Sequence, residues 1–253
     1  MSARAKKELG QHFLVDENIL RVIERLAELS PADVVLEIGP GRGILTRFLA
    51  DRVAFVHAVE IDRSLEQFLP ASENVLVHWG DALGLDLGVL EPTPRKLVAN
   101  LPYNVATPIV VESLDGLPEV ERWCVMVQRE VADRFFAKPR TKAYGGVSVL
   151  VQLATERTGW HPVTREVFRP RPNVDSALVA FRRTQLPADW SAVKRIIEAG
   201  FAHRRKTLPN SLALSGVASR ERAEDALRAV GREPDARAEA LEPAEFVALA
   251  EAL

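Results

Sequence analysis

The sequence predicts an α/β fold, a doubly wound parallel sheet followed by a small all-helical domain, and three observations carry that prediction. Five short apolar runs, each the length of a buried strand, recur with helix-sized intervals between them. The first runs straight into a glycine-rich turn, Gly39-Pro40-Gly41-Arg42-Gly43. Beyond Leu186-Pro187 the strand signal stops and the chain becomes rich in Ala, Glu and Arg.

Ile19, Val22, Ile23 and Leu26 stand at i, i+3, i+4 and i+7, the spacing of an amphipathic helix that starts after Asp16 as a cap and stops at Ser30-Pro31. The strand-like runs follow at 34–38, 54–59, 75–79, 97–99 and 124–127. Residues 147–153 then read as a helix, and 177–181 as a late strand pairing antiparallel at the sheet edge. Past the break, Val193, Ile196, Ile197, Gly200 and Phe201 share one helical face. The expected division is therefore 1–186 and 187–253, with no internal repeat and no low-complexity segment.

With 253 residues and 47% hydrophobic residues, the chain can bury a full core. Its single cysteine, Cys124, excludes an internal disulfide and any multi-cysteine zinc site, and the five histidines lack metal-ligand spacing. The expectation is a reducing compartment and no structural metal. The first ten residues are polar and basic, and no run approaches the ~18 apolar residues of a membrane span. The protein reads as cytoplasmic and, by default, monomeric.

A net charge of −2 argues against a uniformly basic nucleic-acid binder, but the charge is unevenly spread. Residues 161–210 hold ten Lys or Arg against four Asp or Glu, whereas 211–253 hold five against nine. Such a contrast can make one face basic.

A strand-to-helix turn stripped of side chains lets the backbone approach a nucleotide closely, with helix N-terminal N–H groups directed at it. The spacing Gly39, Gly41, Gly43 is not the dinucleotide fingerprint, because the third glycine follows the second by only two residues. It is the form found in methyltransferases, which hold no pyrophosphate. Glu60 ends the second strand 21 positions after Gly39, where nucleotide-binding α/β folds place the carboxylate that accepts ribose hydroxyls. Asp81, after the third strand, is placed to accept a hydrogen bond from an adenine amino group.

The fourth strand ends in Asn100-Leu101-Pro102-Tyr103-Asn104. An adenine amino nitrogen is a poor nucleophile because its lone pair is delocalised into the ring, so an enzyme must accept both N–H bonds and turn the lone pair outward. The Asn100 side-chain oxygen and the Leu101 carbonyl suit those two bonds, Pro102 stiffens the loop, and Tyr103 offers a stacking face.

These motifs resemble those of the ribosomal RNA adenine dimethyltransferases, and most closely the bacterial enzymes that dimethylate two adjacent adenosines in the 3′-terminal hairpin of small-subunit (16S) rRNA. The likeness runs from Gly10-Gln11-His12-Phe13-Leu14 through both loops to Gln128-Arg129-Glu130-Val131-Ala132 and Lys142-Ala143-Tyr144-Gly145. It continues in Phe168-Arg169-Pro170-Arg171-Pro172-Asn173-Val174-Asp175-Ser176 and ends in His203-Arg204-Arg205-Lys206-Thr207-Leu208-Pro209-Asn210.

The resemblance implies a Rossmann-like class I methyltransferase sheet, S-adenosyl-L-methionine as cofactor, and an immature small ribosomal subunit as partner. It places His12 and Leu14 at the methionine end of the cofactor, although many relatives carry Asn where this chain has His12. Gly39, Glu60, Asp81 and Asn100 carry over as cofactor contacts, with Gly41, Gly43, Ile61 and Ala82 beside them. Phe168 is expected to face Tyr103 across the target adenine. Arg165, Arg169, Arg171, Arg204, Arg205 and Lys206 are expected to hold RNA phosphates, making binding sensitive to salt.

Two other readings share these features. The methylases of large-subunit (23S) rRNA that confer macrolide resistance have the same glycine turn and Asn-x-Pro-aromatic loop, but the segment from Arg204 to Asn210 is not typical of them. A non-catalytic RNA-binding factor on this fold would be expected to have eroded loops, yet Gly39, Glu60, Asp81, Asn100, Pro102 and Tyr103 are all present. A small-molecule methyltransferase is disfavoured by the basic stretch.

Overall fold

The computed structural model describes Lys6 and residues 9–253. Most of the polar start, at 1–5, 7 and 8, lies outside the described residues. The chain divides into two compact units, Met1–Ala132 with Arg157–Arg183, and Asp133–Glu156 with Thr184–Leu253.

In the first unit, β1 (Phe13–Leu14) precedes α1 (Glu17–Ala27), and β2 (Val34–Ile38) leads to α2 (Ile44–Ala50). Then come β3 (Phe55–Glu60), β4 (Val75–Trp79), β5 (Lys96–Asn100), α3 (Ala106–Gly116) and β6 (Arg122–Gln128). α4 (Arg129–Phe135) leaves β6, α5 (Gly146–Ala154) follows, and the chain returns through β7 (Thr155–Val163), β8 (Phe168–Arg169) and β9 (Ser176–Arg183).

Seven strands form one sheet in the order β4-β3-β2-β5-β6-β9-β7, while β1 and β8 form a separate antiparallel pair. Contacts among β2 to β6 are parallel, and β9 runs antiparallel to β6. From β2 the chain steps outward to β3 and β4, then crosses back to β5 on the other side. That reversal opens a crevice at the carboxyl ends of β2 and β5, where ligands bind in open α/β sheets.

α1 forms where its spacing predicts. The Asp16 carboxylate accepts the Asn18 N–H at 2.8 Å, and Glu28 ends the helix at a left-handed φ of 48°. Ile19 and Ile23 are buried in the core with Val35, Val56, Val98 and Leu178, and Val22 and Leu26 pack against it.

Two expectations need correction. The late strand, β9, is not at the edge: β7 lies outside it. β7 is hard to see in sequence because its residues are largely polar and partly exposed, and include Gly159 and Pro162. The intervals after β3 and β4 hold short 3-10 turns, Arg63–Phe68 and Leu87–Val89, instead of α-helices. Pro70 follows the first turn, and Gly84, Gly88, Pro92 and Pro94 crowd the second interval.

The second unit contains α5, α6 (Trp190–Ala202), α7 (Leu208–Leu214), α8 (Arg220–Ala229) and α9 (Pro243–Ala252). Ile196, Ile197, Leu208, Leu212, Leu227, Phe246 and Leu249 are buried in it. The excursion Asp133–Glu156 belongs to this unit, which a single division at 186 does not separate out. The buried Tyr144 hydroxyl donates to the Leu241 carbonyl at 2.7 Å, and the Arg140 N–H donates to the Glu239 carbonyl at 2.8 Å.

Among the described residues no helix is long and apolar enough to cross a membrane, and no group of three His, Cys, Asp or Glu side chains could hold a metal. Cys124 is buried and unpaired, and burial pushes its thiol up to about 12.

Candidate active site

The crevice at the ends of β2 and β5 contains a cavity bounded by the glycine turn, the 100–103 loop and the segment from Leu9 to Leu14. Of the residues expected in the site, His12, Leu14, Gly39, Gly41, Glu60, Ile61, Asn100, Leu101, Pro102 and Tyr103 all line it.

The turn needs its glycines. Gly41 sits at φ 59°, and a Cβ there would lie 3.0 Å from the Phe13 ring. Gly43 is not in the cavity wall; it ends the turn at φ 70°, where a Cβ would lie 2.9 Å from the Phe68 carbonyl oxygen. The Gly39 N–H donates to the Val59 carbonyl at 2.9 Å, tying the turn to β3.

Glu60 braces the turn as well as facing the cavity. The Gly41 N–H donates to its Oε2 at 3.1 Å, and the Asp62 N–H donates to its Oε1 at 2.8 Å. Burial raises the Glu60 pKa, with backbone bonds from Asp62, Gly41 and Ile61 opposing and the Asp62 charge reinforcing. Asp62 behaves differently. Although burial would raise it, bonds from Lys6 at 2.8 Å, from Ser64 and from Gln11 at 3.0 Å hold its carboxyl well below the usual range.

Across the cavity, the Asn100 side-chain nitrogen donates to the His12 carbonyl at 3.1 Å. The Leu101 N–H donates to the Met126 carbonyl at 3.0 Å, and the Val105 N–H to the Pro102 carbonyl at 3.1 Å. Tyr103 is partly exposed; its hydroxyl shares a hydrogen bond with the Ser176 hydroxyl, and burial raises its pKa.

Besides Gly43, three expected residues stand elsewhere. Phe168 does not line the cavity: paired in register with Leu14, it is fully buried in the core. The ring beside Tyr103 is that of His12, with centroids 5.3 Å apart and planes tilted by 33°. The His12 Nδ1 lies 2.8 Å from the Pro170 carbonyl oxygen. Asp81 is outside this cavity and accepts the Leu83 N–H at 3.0 Å, while Ala82 lines a neighbouring hollow with Ile38 and Ile109.

The basic residues fall into two groups, described unit by unit. In the first, Arg165 donates to the Asn173 carbonyl at 3.2 Å, Arg169 to the Phe168 carbonyl at 2.8 Å, and Arg171 pairs with Glu166. In the second, Arg204, Arg205 and Lys206 are exposed in the turn after α6.

The cavity wall also holds a buried carboxylate that the motifs do not point to. Glu37, in β2, is 1% exposed, and among the described residues its Oε2 has no hydrogen-bond partner. Burial pushes its pKa up to about 8, Thr46 and Arg47 opposing and Glu60 reinforcing. The available signal was a carboxylate inside the run Val34-Val35-Leu36-Glu37-Ile38, since a strand buried on both faces is normally apolar throughout.

Comparison with known proteins completes the picture. A family model described as "Ribosomal RNA adenine dimethylase" matches residues 2–253. A curated protein of Rubrobacter xylanophilus named "Ribosomal RNA small subunit methyltransferase A" is 50% identical over 251 residues, covering 97% of this chain and 94% of its own length. One of the same name from Thermobifida fusca is 43% identical over 263 residues, covering 99% and 91%. In structure, the chain resembles a dimethyladenosine transferase from Plasmodium falciparum at TM-score 0.77 and 23% identity, covering 94% of this chain and 96% of that one. It also resembles the 23S rRNA methyltransferase ErmE at TM-score 0.65 and 32% identity, covering 95% and 99%.

Proposed function

The chain belongs to the ribosomal RNA adenine dimethylase family, and from that premise we propose that it uses S-adenosyl-L-methionine to dimethylate N6 of two adjacent adenosines in the 3′-terminal hairpin of 16S rRNA. The substrate is an immature small subunit in the cytoplasm, met by a monomer.

The residues present fit this cofactor. The orphaned Glu37 Oε2 is a buried acceptor suited to the cationic methionine end, and the glycine turn allows close approach of backbone. The Glu60 carboxylate keeps acceptor capacity beyond its backbone bonds for a ribose hydroxyl. When bound, the cofactor supplies an electrophilic methyl group.

The observation that carries the proposal is the bond from the Asn100 nitrogen to the His12 carbonyl. With that nitrogen committed, Oδ1 is the acceptor end of Asn100. In the first proposed transfer Oδ1 and the Leu101 carbonyl accept the two N–H bonds of the adenine, directing its lone pair along the line of transfer; in the second, one of them accepts the single N–H that remains. Both acceptors stabilise positive charge as it develops on the nitrogen, which then loses a proton without a dedicated base. Tyr103 stacks on the extruded base, a contact worth about 1–3 kcal/mol that offsets the lost base stacking. Residues 187–253 are proposed to hold the ribosomal particle, with Arg204, Arg205 and Lys206 as phosphate contacts. Arg165, Arg169 and Arg171, within the first unit, are proposed to do the same. Phe168 is buried in the core, and its proposed role as the second aromatic requires the β1–β8 pair to shift.

The test is methyl transfer from labelled cofactor to small subunits lacking the modification, with large-subunit rRNA in parallel. Label in the 16S hairpin supports the proposal. Label confined to 23S rRNA would instead make this a resistance-type methylase.

A further inference from the structure

Stacking on a base requires a flat ring and no hydroxyl, so a phenylalanine in place of Tyr103 would offer the same face. The hydroxyl of Tyr103 nevertheless has a specific partner. It shares a hydrogen bond with the Ser176 hydroxyl, 73 residues further along the chain. Ser176 is fully buried and begins β9, where it stands in register with Gln128 of β6. Its surroundings are fixed as well: the Arg129 N–H donates to the Asp175 carbonyl at 3.0 Å, and the Asp175 carboxylate accepts the Arg165 N–H at 3.4 Å.

Tyr103 itself lies in the turn between β5 and α3, outside any ladder. Its ring is held by that turn, by the neighbouring His12 ring, and by this one bond to the central sheet. A catalytic platform must be held within a fraction of an ångström by its supporting contacts, and a side chain on a turn loses rotamer freedom on ordering.

We propose that Ser176 is a positioning residue that aims the Tyr103 ring at the target adenine, acting through the hydroxyl–hydroxyl bond and touching neither substrate nor cofactor. The inference rests on Tyr103 being the base platform, and the experiment separates the two ideas. Ser176→Ala should lower kcat/KM for methyl transfer about tenfold, the size of one buried hydrogen bond, with cofactor affinity unchanged. Tyr103→Phe removes the same bond from the other side and should lose the same factor. The double variant should be no worse than either single one.

The chain has two tyrosines, so spectra of ring-labelled protein give a second readout. In Ser176→Ala the Tyr103 resonance should shift or broaden, while that of the buried Tyr144 stays in place and reports an intact fold. Full activity in Tyr103→Phe overturns the proposal whether or not Ser176→Ala folds, and so does an additive loss in the double variant. Full activity in Tyr103→Ala would instead overturn the platform reading itself.

Discussion

The Gly41 N–H donates to the Glu60 carboxylate at 3.1 Å, so the acid at the end of β3 props the glycine turn at the end of β2. The residue proposed to hold the cofactor ribose therefore also shapes the loop beneath it. Glu60→Ala should raise the cofactor dissociation constant about ten- to a hundredfold, the range for losing charge-assisted hydrogen bonds. Isothermal titration measures this, and an unchanged constant would move the ribose contact to another residue.

Glu37 makes stability depend on pH. Its pKa rises from an ordinary 4.5 to about 8 in the folded protein. Between those values the folded chain holds a proton that the unfolded chain has released, so the contribution is fully present below pH 4.5 and is lost as pH rises through about 8. Glu60, also raised by burial, acts with the same sign. Glu37→Gln keeps the shape and removes the titration. Urea unfolding should show the variant similar to wild type near pH 5 and more stable near pH 9, by on the order of a few kcal/mol. Parallel pH profiles for the two proteins would contradict the assignment.

Replacing Arg204, Arg205 and Lys206 together by Ala should weaken RNA binding at low salt and flatten its salt dependence. If each meets one phosphate, the slope of log K against log salt should fall by about 2. Cofactor affinity should not change. A slope equal to that of wild type would remove these residues from the RNA contact.

The parallel strands and the glycine turn were legible because buried strands are short, apolar and punctuated, and because φ above zero demands glycine. The Asn100–Tyr103 loop was legible because its chemistry lies in consecutive residues. What escaped depends on partners distant in sequence. β7 is partly exposed and mostly polar, so alternation did not reveal it. Asp133–Glu156 joins the helical unit through residues such as Tyr144, whose bond to Leu241 spans 97 positions. The motif around Phe168 does not reveal its burial, which follows from its pairing with Leu14, 154 residues earlier in the chain. Glu37 sits inside an apolar strand, where its charge is the only sign in the sequence that it serves the site.

The most direct test of the central claim is a time course of methyl transfer, with cofactor in excess, to unmodified small subunits by wild type and by Asn100→Ala, followed by nucleoside analysis. Wild type should yield N6,N6-dimethyladenosine at two adjacent positions of the 16S hairpin. Asn100→Ala should fold normally, bind cofactor with at most modest weakening, and transfer methyl groups at least about a hundredfold more slowly. Dimethylation by Asn100→Ala at close to the wild-type rate would contradict the acceptor role on which the proposed mechanism stands.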